Sequence, residues 1–193
     1  VLGIDWSPEL IQKLKGIHNL ILVCDNFANL REMVKRKEFK SVQGILFDLG
    51  ISSWHLEESK RGFSFLRNEP LDMRYHPQNP LTAEKLLNYS SALEIEKILT
   101  EFGEERFAKE IAQKIVGQRR IKPIKTTFQL VRIIQEAVPS WYHHRKIHLA
   151  TKTFQALRLA VNDELTNLES ALPQAWEILK PGGGLVIISF HSL

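Results

Sequence analysis

The stretch that decides the fold is "GILFDLGISSWHL", Gly44 to Leu56. An apolar run, Ile45 to Phe47, ends in Asp48, and a glycine and two serines follow within a few residues. An apolar run of this length without polar alternation predicts a buried strand of a parallel sheet. The carboxylate at its end has two interpretations, an ordinary turn residue or part of an active site, and other segments must decide between them.

Three other apolar segments also end in polar side chains. "VLGID" ends in Asp5, "NLILVCDNF" passes through Asp25 and Asn26, and "LVIISF" is followed by His191 and Ser192. Strands of this kind separated by helices predict a doubly wound α/β fold, which binds ligands at the carboxyl ends of its strands. A single strand-end aspartate is usually a cap or a turn residue. Polar groups at four strand ends favour a shared cleft.

The flanking helices have recognisable signals. Ser7 and Pro8 predict a helix start, and that helix is expected to end at Gly16. A long helix is predicted over 151–179, interrupted or kinked at Pro173. "PGGG" at 181–184 predicts a helix-to-strand turn before a strand at 185–190.

The middle of the chain has little strand character. "GEERFAKEIAQKIVGQRR" and "TTFQLVRIIQEAV" carry apolar residues at helical spacing and predict amphipathic helices. Ordinary crossovers in α/β folds are much shorter. We therefore predict an inserted helical subdomain at 62–148, within an α/β domain formed by 1–61 and 149–193.

Composition narrows the class of protein. The 193 residues are 44% hydrophobic and 25% charged, which is typical of a soluble globular chain, and no apolar run is long enough to span a bilayer. The single cysteine, Cys24, excludes an internal disulfide framework and makes a reducing cytoplasm the default. Cys24 lies in an apolar run and is expected in the core. No histidine, cysteine or aspartate cluster has the spacing of a metal site.

The charge is unevenly distributed. The net charge is +4, but residues 106–152 contain eleven Lys and Arg against Glu110 and Glu136, so this window carries +9 and the remainder −5. A basic segment on a mildly acidic body suggests a polyanionic partner such as nucleic acid. On charge alone, a solvated basic helix face is equally consistent with the pattern.

Several strings together resemble one known family, the RsmH (MraW) family of bacterial 16S rRNA cytosine-N4 methyltransferases. The resemblance covers essentially the whole chain in the same order. The strings that carry it are "GILFDLGISS", "RGFSF" (61–65), "PLDMR" (70–74), "LTA" (81–83), "GEERFAKEIA" (103–112), "TKTFQALRLAVNDEL" (151–165) and "LKPGGGLVIISFHSL" (179–193).

This resemblance implies a Rossmann-like class I S-adenosylmethionine methyltransferase fold with an inserted all-helical subdomain for substrate recognition. The implied cofactor is S-adenosyl-L-methionine, and the implied substrate is a cytidine in the decoding centre (P site) of 16S rRNA in the small ribosomal subunit. By resemblance, Asp5 binds the cofactor ribose, Phe27 lies against the adenine, and Asp48 lines the cofactor pocket beside the base. A cytoplasmic enzyme without a membrane partner is expected, and a homodimer is left open.

The sequence departs from the family pattern in two places. The family has Pro-Gln after the two serines, and its glutamine touches the cofactor; here the pair is Trp54-His55. We keep His55 as a cofactor-binding candidate, whereas Trp54 is a candidate for stacking on a base. Family members also begin earlier, with a strand and a glycine-rich loop, so this chain is expected to bind the cofactor weakly or not at all.

The catalytic prediction centres on Asp48. A cytosine amine is a poor nucleophile, and a carboxylate that accepts its hydrogen bond would localise the nitrogen lone pair. Ser52, Ser53 and His191 are supporting candidates. Carbon-5 methylation through a cysteine is disfavoured because Cys24 is expected in the core. Arg61, Arg74 and Arg158 could reach phosphate or form structural ion pairs with Asp72, Glu69 or Asp163.

The predicted RNA-binding side chains are basic and fall mostly in the helical insertion. They are Arg74, Arg106, Lys109, Arg119, Arg120, Lys122, Lys125, Arg145 and Lys146. Two other functions stay open at this point. A nicotinamide-dependent oxidoreductase shares the sheet and the ribose acid, and a non-catalytic RNA-binding protein would need no cofactor loop.

Overall fold

The structure, a computed structural model, describes residues 1–190 and divides into two compact units. The first unit is built from Val1–Ile51 together with the chain from Asp163 onward, and the second is Ser52–Asn162. The second unit is longer than the insertion predicted at 62–148. It gains the helix that follows the Asp48 strand and the helix that begins at Thr151, because the latter packs against helices of the insertion.

Strands and helices alternate up to β3, and helices alone then follow until the last strand, as expected for a mixed α/β chain with a helical middle. In chain order they are β1 (Leu2–Asp5), α1 (Pro8–Lys13), β2 (Ile21–Cys24), a 3-10 turn (Phe27–Asn29), α2 (Leu30–Arg36), β3 (Val42–Asp48), α3 (Ser53–Glu57), α4 (Ala83–Tyr89), α5 (Ala92–Glu101), α6 (Ala108–Ile121), α7 (Thr127–Ala137), a second 3-10 helix (Ser140–His144), α8 (Thr151–Asn162), α9 (Glu164–Ile178) and β4 (Leu179–Ile188).

The four strands of the first unit form two parallel pairs. β1 pairs with β2, and β3 pairs with β4, each in a two-stranded parallel sheet. Parallel pairing requires a crossover connection, which α1 provides for the first pair. α1 starts as predicted, with Ser7 Oγ accepting a hydrogen bond from the Leu10 amide, and Gly16 after it has the positive φ of a helix terminus.

One apolar cluster holds the first unit together. Its buried members come from α2, β3 and α9, and side chains of β1 pack against the same cluster, so both sheets share a core. Hydrophobic burial of this kind is the main favourable term in folding. The buried members are Leu30, Val34, Phe47, Ala171 and Ala175.

The "PGGG" segment is part of a strand rather than a turn before it. β4 begins at Leu179, directly after α9, and the register pairs Val42 with Leu179 but Gly44 with Gly184. Because more residues lie between the pairs on β4 than on β3, the intervening segment bulges out of the ladder. Gly182 has φ +80°, a conformation that favours glycine, which explains why the segment is rich in it.

The long helix predicted over 151–179 is broken at Asp163, not at Pro173. α8 ends at Asn162, Asp163 takes a left-handed conformation with φ +50°, and α9 then runs through Pro173. The side chain of Asn162 explains the ending. Its amide nitrogen donates to the carbonyls of Met73 and Arg158, and its oxygen accepts from the Tyr75 amide, all within 3.0 Å.

The second unit is all-helical around its own core. Loops that contain "RGFSF" and "PLDMR" are fastened to one another by backbone bonds, including Met73 N–H to the Arg61 carbonyl at 2.7 Å. The Gly62 amide donates to the buried Glu69 carboxylate at 3.0 Å. The largest fully buried apolar side chains of this unit are Leu71, Met73, Leu87, Ile95, Leu99, Ile111, Ile115, Ile124, Leu130, Ile134 and Tyr142.

Gly62 has no room for a side chain. It has φ +76°, and a Cβ at this position would lie 2.2 Å from the Pro70 carbonyl oxygen. We expect Gly62→Ala to lower the free energy of unfolding by about 3 kcal/mol or more, because a backbone clash adds to conformational strain. Urea denaturation measures the change.

Gly117→Ala is the matched control, since Gly117 lies within α6 and a Cβ there meets nothing within 4 Å. It should raise the free energy of unfolding by up to about 1 kcal/mol through helix propensity. Equal effects of the two substitutions would contradict this account of Gly62.

Asn162 should be needed for the stability of the second unit. Asn162→Ala leaves the buried Met73 carbonyl and the Tyr75 amide without this partner, so we expect a loss of about 2–4 kcal/mol in the free energy of unfolding. Asp163→Gly, which relaxes the left-handed residue, should be neutral or slightly stabilising. A small effect of Asn162→Ala in thermal and urea unfolding would show that the amide network is dispensable.

Candidate functional site at the strand ends and a basic helical surface

Asp5 and Asp25 lie at the same end of the β1–β2 sheet. The register pairs Asp5 with Cys24, and the Asp25 amide donates to the Asp5 carbonyl at 3.1 Å. Asp5 Oδ1 accepts a hydrogen bond from the Ser7 amide at 2.7 Å, which leaves the other oxygen to accept from a ligand. Burial raises the pKa of Asp5, and the Ser7 hydrogen bond opposes that shift.

Cys24 is exposed, which corrects the expectation that it lies in the core. Covalent chemistry at this thiol is disfavoured for a different reason. Desolvation, followed by the nearby charges of Asp5, Asp25 and Glu9, raises the pKa of the thiol. Because the thiolate is the nucleophilic form, this acidic surrounding disfavours covalent chemistry at Cys24.

Phe27 begins the 3-10 turn after β2, directly after Asn26. The Asn26 side chain caps that turn by accepting from the Ala28 amide at 2.9 Å. The Phe27 ring meets Phe47 edge to face at 5.7 Å between centroids and packs against the core of the unit. One side of the ring therefore has a packing role, and the residue remains half-buried.

Asp48 is the last residue of β3 and lies opposite Ile188 of β4. Its side chain is exposed, and the amide of the following Leu49 is held by the Ile188 carbonyl at 2.9 Å. Gly50 follows with φ +115°, so the chain turns sharply just after the carboxylate. His191, the other strand-end candidate, lies outside the described residues.

Ser52, Ser53 and His55 open the second unit. Ser52 precedes α3, Ser53 is its first residue, and both are exposed. His55 is 4% exposed, and its Nδ1 accepts from the Ser52 amide at 3.3 Å and lies 3.0 Å from Ser52 Oγ. An Nδ1 that accepts a backbone proton leaves the ring proton of a neutral histidine on Nε2.

His55 thus supplies the side-chain half of a capping box, a role that glutamine or glutamate usually fills in this motif. Its ring also packs against Trp54, Phe63 and Tyr75 at 5.0–5.2 Å between centroids. Sequence reasoning missed this structural role, although the spacing from Ser52 was its signal. Cofactor contact by His55 stays a prediction.

Two arginines of the family strings are committed to internal contacts. Arg74 makes a bidentate pair with Asp72, with both distances 2.8 Å, and also donates to the Pro77 and Asn79 carbonyls. This pair lowers the pKa of Asp72 against the effect of burial. Arg61 donates to the carbonyls of Arg74 and Tyr75. Arg74 therefore forms the structural ion pair with Asp72, and we leave Arg74 out of the RNA surface proposed below.

Most of the remaining RNA-binding candidates fall at opposite ends of α6, and Arg145 and Lys146 follow the second 3-10 helix. Arg106 and Lys109 are at its start, and Arg120, Lys122 and Lys125 are at and beyond its end. At a rise of about 1.5 Å per residue, these ends are roughly 20 Å apart. All of these side chains are exposed, as are Arg145 and Lys146, whereas the half-buried Arg119 donates to the Leu87 carbonyl at 2.7 Å.

Two basic residues of the positive window share one carboxylate within the unit. Lys114 and Arg132 both contact Glu136, each at 3.1 Å, and their hydrogen bonds lower the pKa of that carboxyl. The uncompensated charge of the window therefore lies mainly at the two ends of α6 and after α7.

Residues 1–190 contain no group of three or more histidine, cysteine, aspartate or glutamate side chains placed to hold a metal ion. Within the same residues, every helix is too short or too polar to cross a membrane.

Comparison with known proteins places these features in one family. The model of the MraW methylase family matches residues 3–193. Relatives named "Ribosomal RNA small subunit methyltransferase H" match the whole chain, at 46% identity in Dehalococcoides mccartyi, 48% in Thermosipho melanesiensis and 46% in Heliobacterium modesticaldum. The chain spans 55%, 67% and 64% of the length of these relatives, respectively. This protein belongs to the MraW methylase family.

Proposed function

We propose that the protein methylates small-subunit ribosomal RNA with S-adenosyl-L-methionine, and that the methyl acceptor is the N4 amine of a cytidine in the decoding centre of 16S rRNA. The family match and the printed names of the relatives support the rRNA methyltransferase activity. The observation that carries the chemistry is Asp48, an exposed carboxylate at the end of a β strand with a positive-φ glycine two residues later. A cytoplasmic location is part of this proposal.

The side chains of the first unit fit the proposed cofactor. We assign it to a Rossmann-like class I methyltransferase domain, in which Asp5 accepts hydrogen bonds from the ribose hydroxyls through the oxygen that Ser7 does not use. Phe27 presents the part of its ring that Phe47 leaves open to the adenine. S-adenosylmethionine, when bound, supplies an electrophilic methyl group.

Asp48 provides what a cytosine amine lacks as a nucleophile. The lone pair of the cytosine N4 nitrogen is delocalised into the ring. A hydrogen bond from N4–H to the Asp48 carboxylate localises that lone pair on the nitrogen. Fixing the amine in line with the methyl group adds a further orientational gain. Gly50 lets the base approach the backbone beside the carboxylate, because it carries no side chain.

Ser52 and Ser53 are proposed as supporting hydrogen-bonding groups, together with His191. The exposed position of both serines at the start of α3 allows either hydroxyl to face a substrate. The cytidine must be presented out of its stack, as enzymes that act on nucleobases require.

The second unit is proposed as the substrate-recognition insertion. Its exposed basic side chains at the two ends of α6 would bind RNA phosphates, since salt-dependent contacts of this kind supply most non-specific affinity for nucleic acid. The charges at the end of α6 are named here the distal basic group: Arg120, Lys122 and Lys125.

The role of Asp48 is tested by the variant Asp48→Ala. We expect methyl transfer to fall by about 10²-fold or more, because the acceptor of the amine proton is lost. The measurement is transfer of a labelled methyl group to small-subunit rRNA, followed by nuclease digestion to identify the methylated nucleoside.

The control is Glu169→Ala, which removes an exposed carboxylate on α9 and should leave activity unchanged. Thermal unfolding should match the parent for both variants, since neither side chain is buried. Normal transfer by Asp48→Ala would remove Asp48 from the mechanism, and a product methylated on carbon 5 would contradict the amine as acceptor.

The distal basic group is tested by reversing its three charges to glutamate. RNA affinity should fall by roughly tenfold or more. The slope of log affinity against log salt should become smaller by about 2, because each of the three lost phosphate contacts contributes about 0.7. The matched control reverses Lys35, Lys37 and Lys40, which are exposed lysines of the first unit, and so changes the net charge equally. Equal losses in the two triple variants would refute a localised RNA surface.

The alternative function is a non-catalytic RNA-binding protein. The methyltransferase and this alternative differ in one measurable property, the binding of S-adenosylmethionine. Calorimetric titration of the 193-residue chain, and of one extended at its N-terminus with the strand and glycine-rich loop of the family, separates the two, because a methyltransferase must bind the cofactor in the extended form. Absence of binding there would favour the alternative.

A further inference from the structure

Trp141 is a large aromatic side chain held at the surface among positive charges. It lies in the 3-10 helix Ser140–His144, and 51% of its surface is exposed. The guanidinium carbon of Arg106 lies 5.3 Å from the centroid of its ring. Arg145 and Lys146 follow the same 3-10 helix and are exposed, as are His143 and His144.

The side chains beneath Trp141 are buried and hydrogen-bonded. Tyr142 is 2% exposed, and its hydroxyl donates to the buried carboxylate of Glu105 at 2.7 Å. The same carboxylate oxygen accepts the Phe107 amide at 3.1 Å. Burial and the Glu105 hydrogen bond raise the pKa of Tyr142 to about 12, so the hydroxyl remains a donor at neutral pH.

Aromatic and cationic contacts hold the exposed Trp141 ring against these buried side chains. Trp141 meets Phe107 and Tyr142 edge to face at 5.8 and 5.6 Å between centroids. Arg106 also lies 5.7 Å from the Phe107 ring, and Arg145 lies 4.6 Å from the Tyr142 ring. The Trp141 platform is the name used here for Arg106, Phe107, Trp141, Tyr142 and Arg145.

We propose that the Trp141 platform stacks one unpaired base of the RNA substrate, with Arg145 and Lys146 neutralising the adjacent phosphates. This inference rests on the proposed function and assigns Trp141 a positioning role in binding, not a part in methyl transfer. The base would lie on the exposed surface of the indole, and Arg106 would add a cation–π contribution to the stack.

Three features favour a single-stranded RNA over other partners. A tryptophan that is already held by its neighbours loses little side-chain entropy when a base stacks on it. A duplex keeps its bases in their own stack and offers only backbone and groove to such a platform. The adjacent cations match phosphates on either side of a base, whereas the only carboxylate described among the platform contacts, Glu105, is buried and already bonded to Tyr142.

The test uses the parent protein, Trp141→Ala and Trp141→Phe, with an unstructured oligouridylate of about 12 nucleotides as the probe. Trp141→Ala should bind the oligomer about 5- to 150-fold more weakly, the loss expected for one base–aromatic stack. Trp141→Phe keeps a stacking ring and should keep most of the affinity. An RNA duplex of equal length should bind the parent and Trp141→Ala alike.

Trp176→Ala is the matched control, since Trp176 is 78% exposed on α9 of the other unit and should contribute nothing to binding. Fluorescence gives a second readout that does not depend on how well Trp141→Ala folds. Oligouridylate should quench the tryptophan emission of the parent, and most of that quenching should be absent in Trp141→Phe.

Salt dependence separates stacking from charge. Trp141→Ala should leave the slope of log affinity against log salt unchanged, whereas Arg145→Gln should reduce it by about 0.7, the value for one single-strand phosphate contact. Polyglutamate should not reproduce the quenching if a base is what the ring contacts.

Parent-like oligomer affinity of Trp141→Ala, full quenching in Trp141→Phe, or an equal loss of duplex binding would overturn the platform while leaving the proposed function intact. Failure of the parent protein to bind RNA in a salt-dependent manner would contradict the proposed function and the platform with it. The two failures are therefore distinguishable.

Discussion

The buried amide of Asn162 holds the end of α8, which is the point where the chain passes from the second unit back to the first. The carboxamide satisfies a carbonyl in its own helix and two backbone groups of the Met73–Tyr75 segment at the same time. A buried polar group that is fully bonded stabilises one arrangement strongly, because any alternative leaves several groups unpaired. The chain therefore cannot continue as one straight helix, and the left-handed Asp163 starts α9 in the first unit. Pro173, the local breaker in the sequence, lies inside α9 without ending it.

Six arginines of the second unit serve two different purposes, and burial separates these six. Arg61, Arg74 and Arg119 are partly buried and donate to backbone carbonyls or to Asp72, so their charges help to hold loops of the second unit in place. Arg106, Arg120 and Arg145 are exposed and keep their charges available to an external polyanion. The basic window is thus a smaller and more localised surface than its composition suggests, concentrated at the ends of α6 and beside Trp141.

Several residues that the sequence predicts to be functional also have local structural roles. Asp5 holds the Ser7 amide, Asn26 caps the turn before Phe27, and His55 caps α3. For Asp5 this role is compatible with ligand binding, because a carboxylate has more acceptor positions than one backbone bond uses. The role of His55 also explains the Trp54-His55 pair: a histidine that accepts a backbone proton can replace a glutamine in a capping box, and its ring fills space among Phe63 and Tyr75.

The sequence by itself determined the mixed α/β class, the strands that end in Asp5 and Asp48 or just before Asp25, the amphipathic helices and the family. Strand and helix periodicity are local properties, and the family strings are read directly from the residues. Only the tertiary structure decided where the long helix breaks, that "PGGG" bulges within β4, that Cys24 is exposed, and which basic side chains are already paired. It also brought the guanidinium carbon of Arg106 to within 5.3 Å of the ring centroid of Trp141, a residue distant in sequence. Each of these outcomes depends on contacts between distant segments, and no local pattern in the chain encodes such contacts.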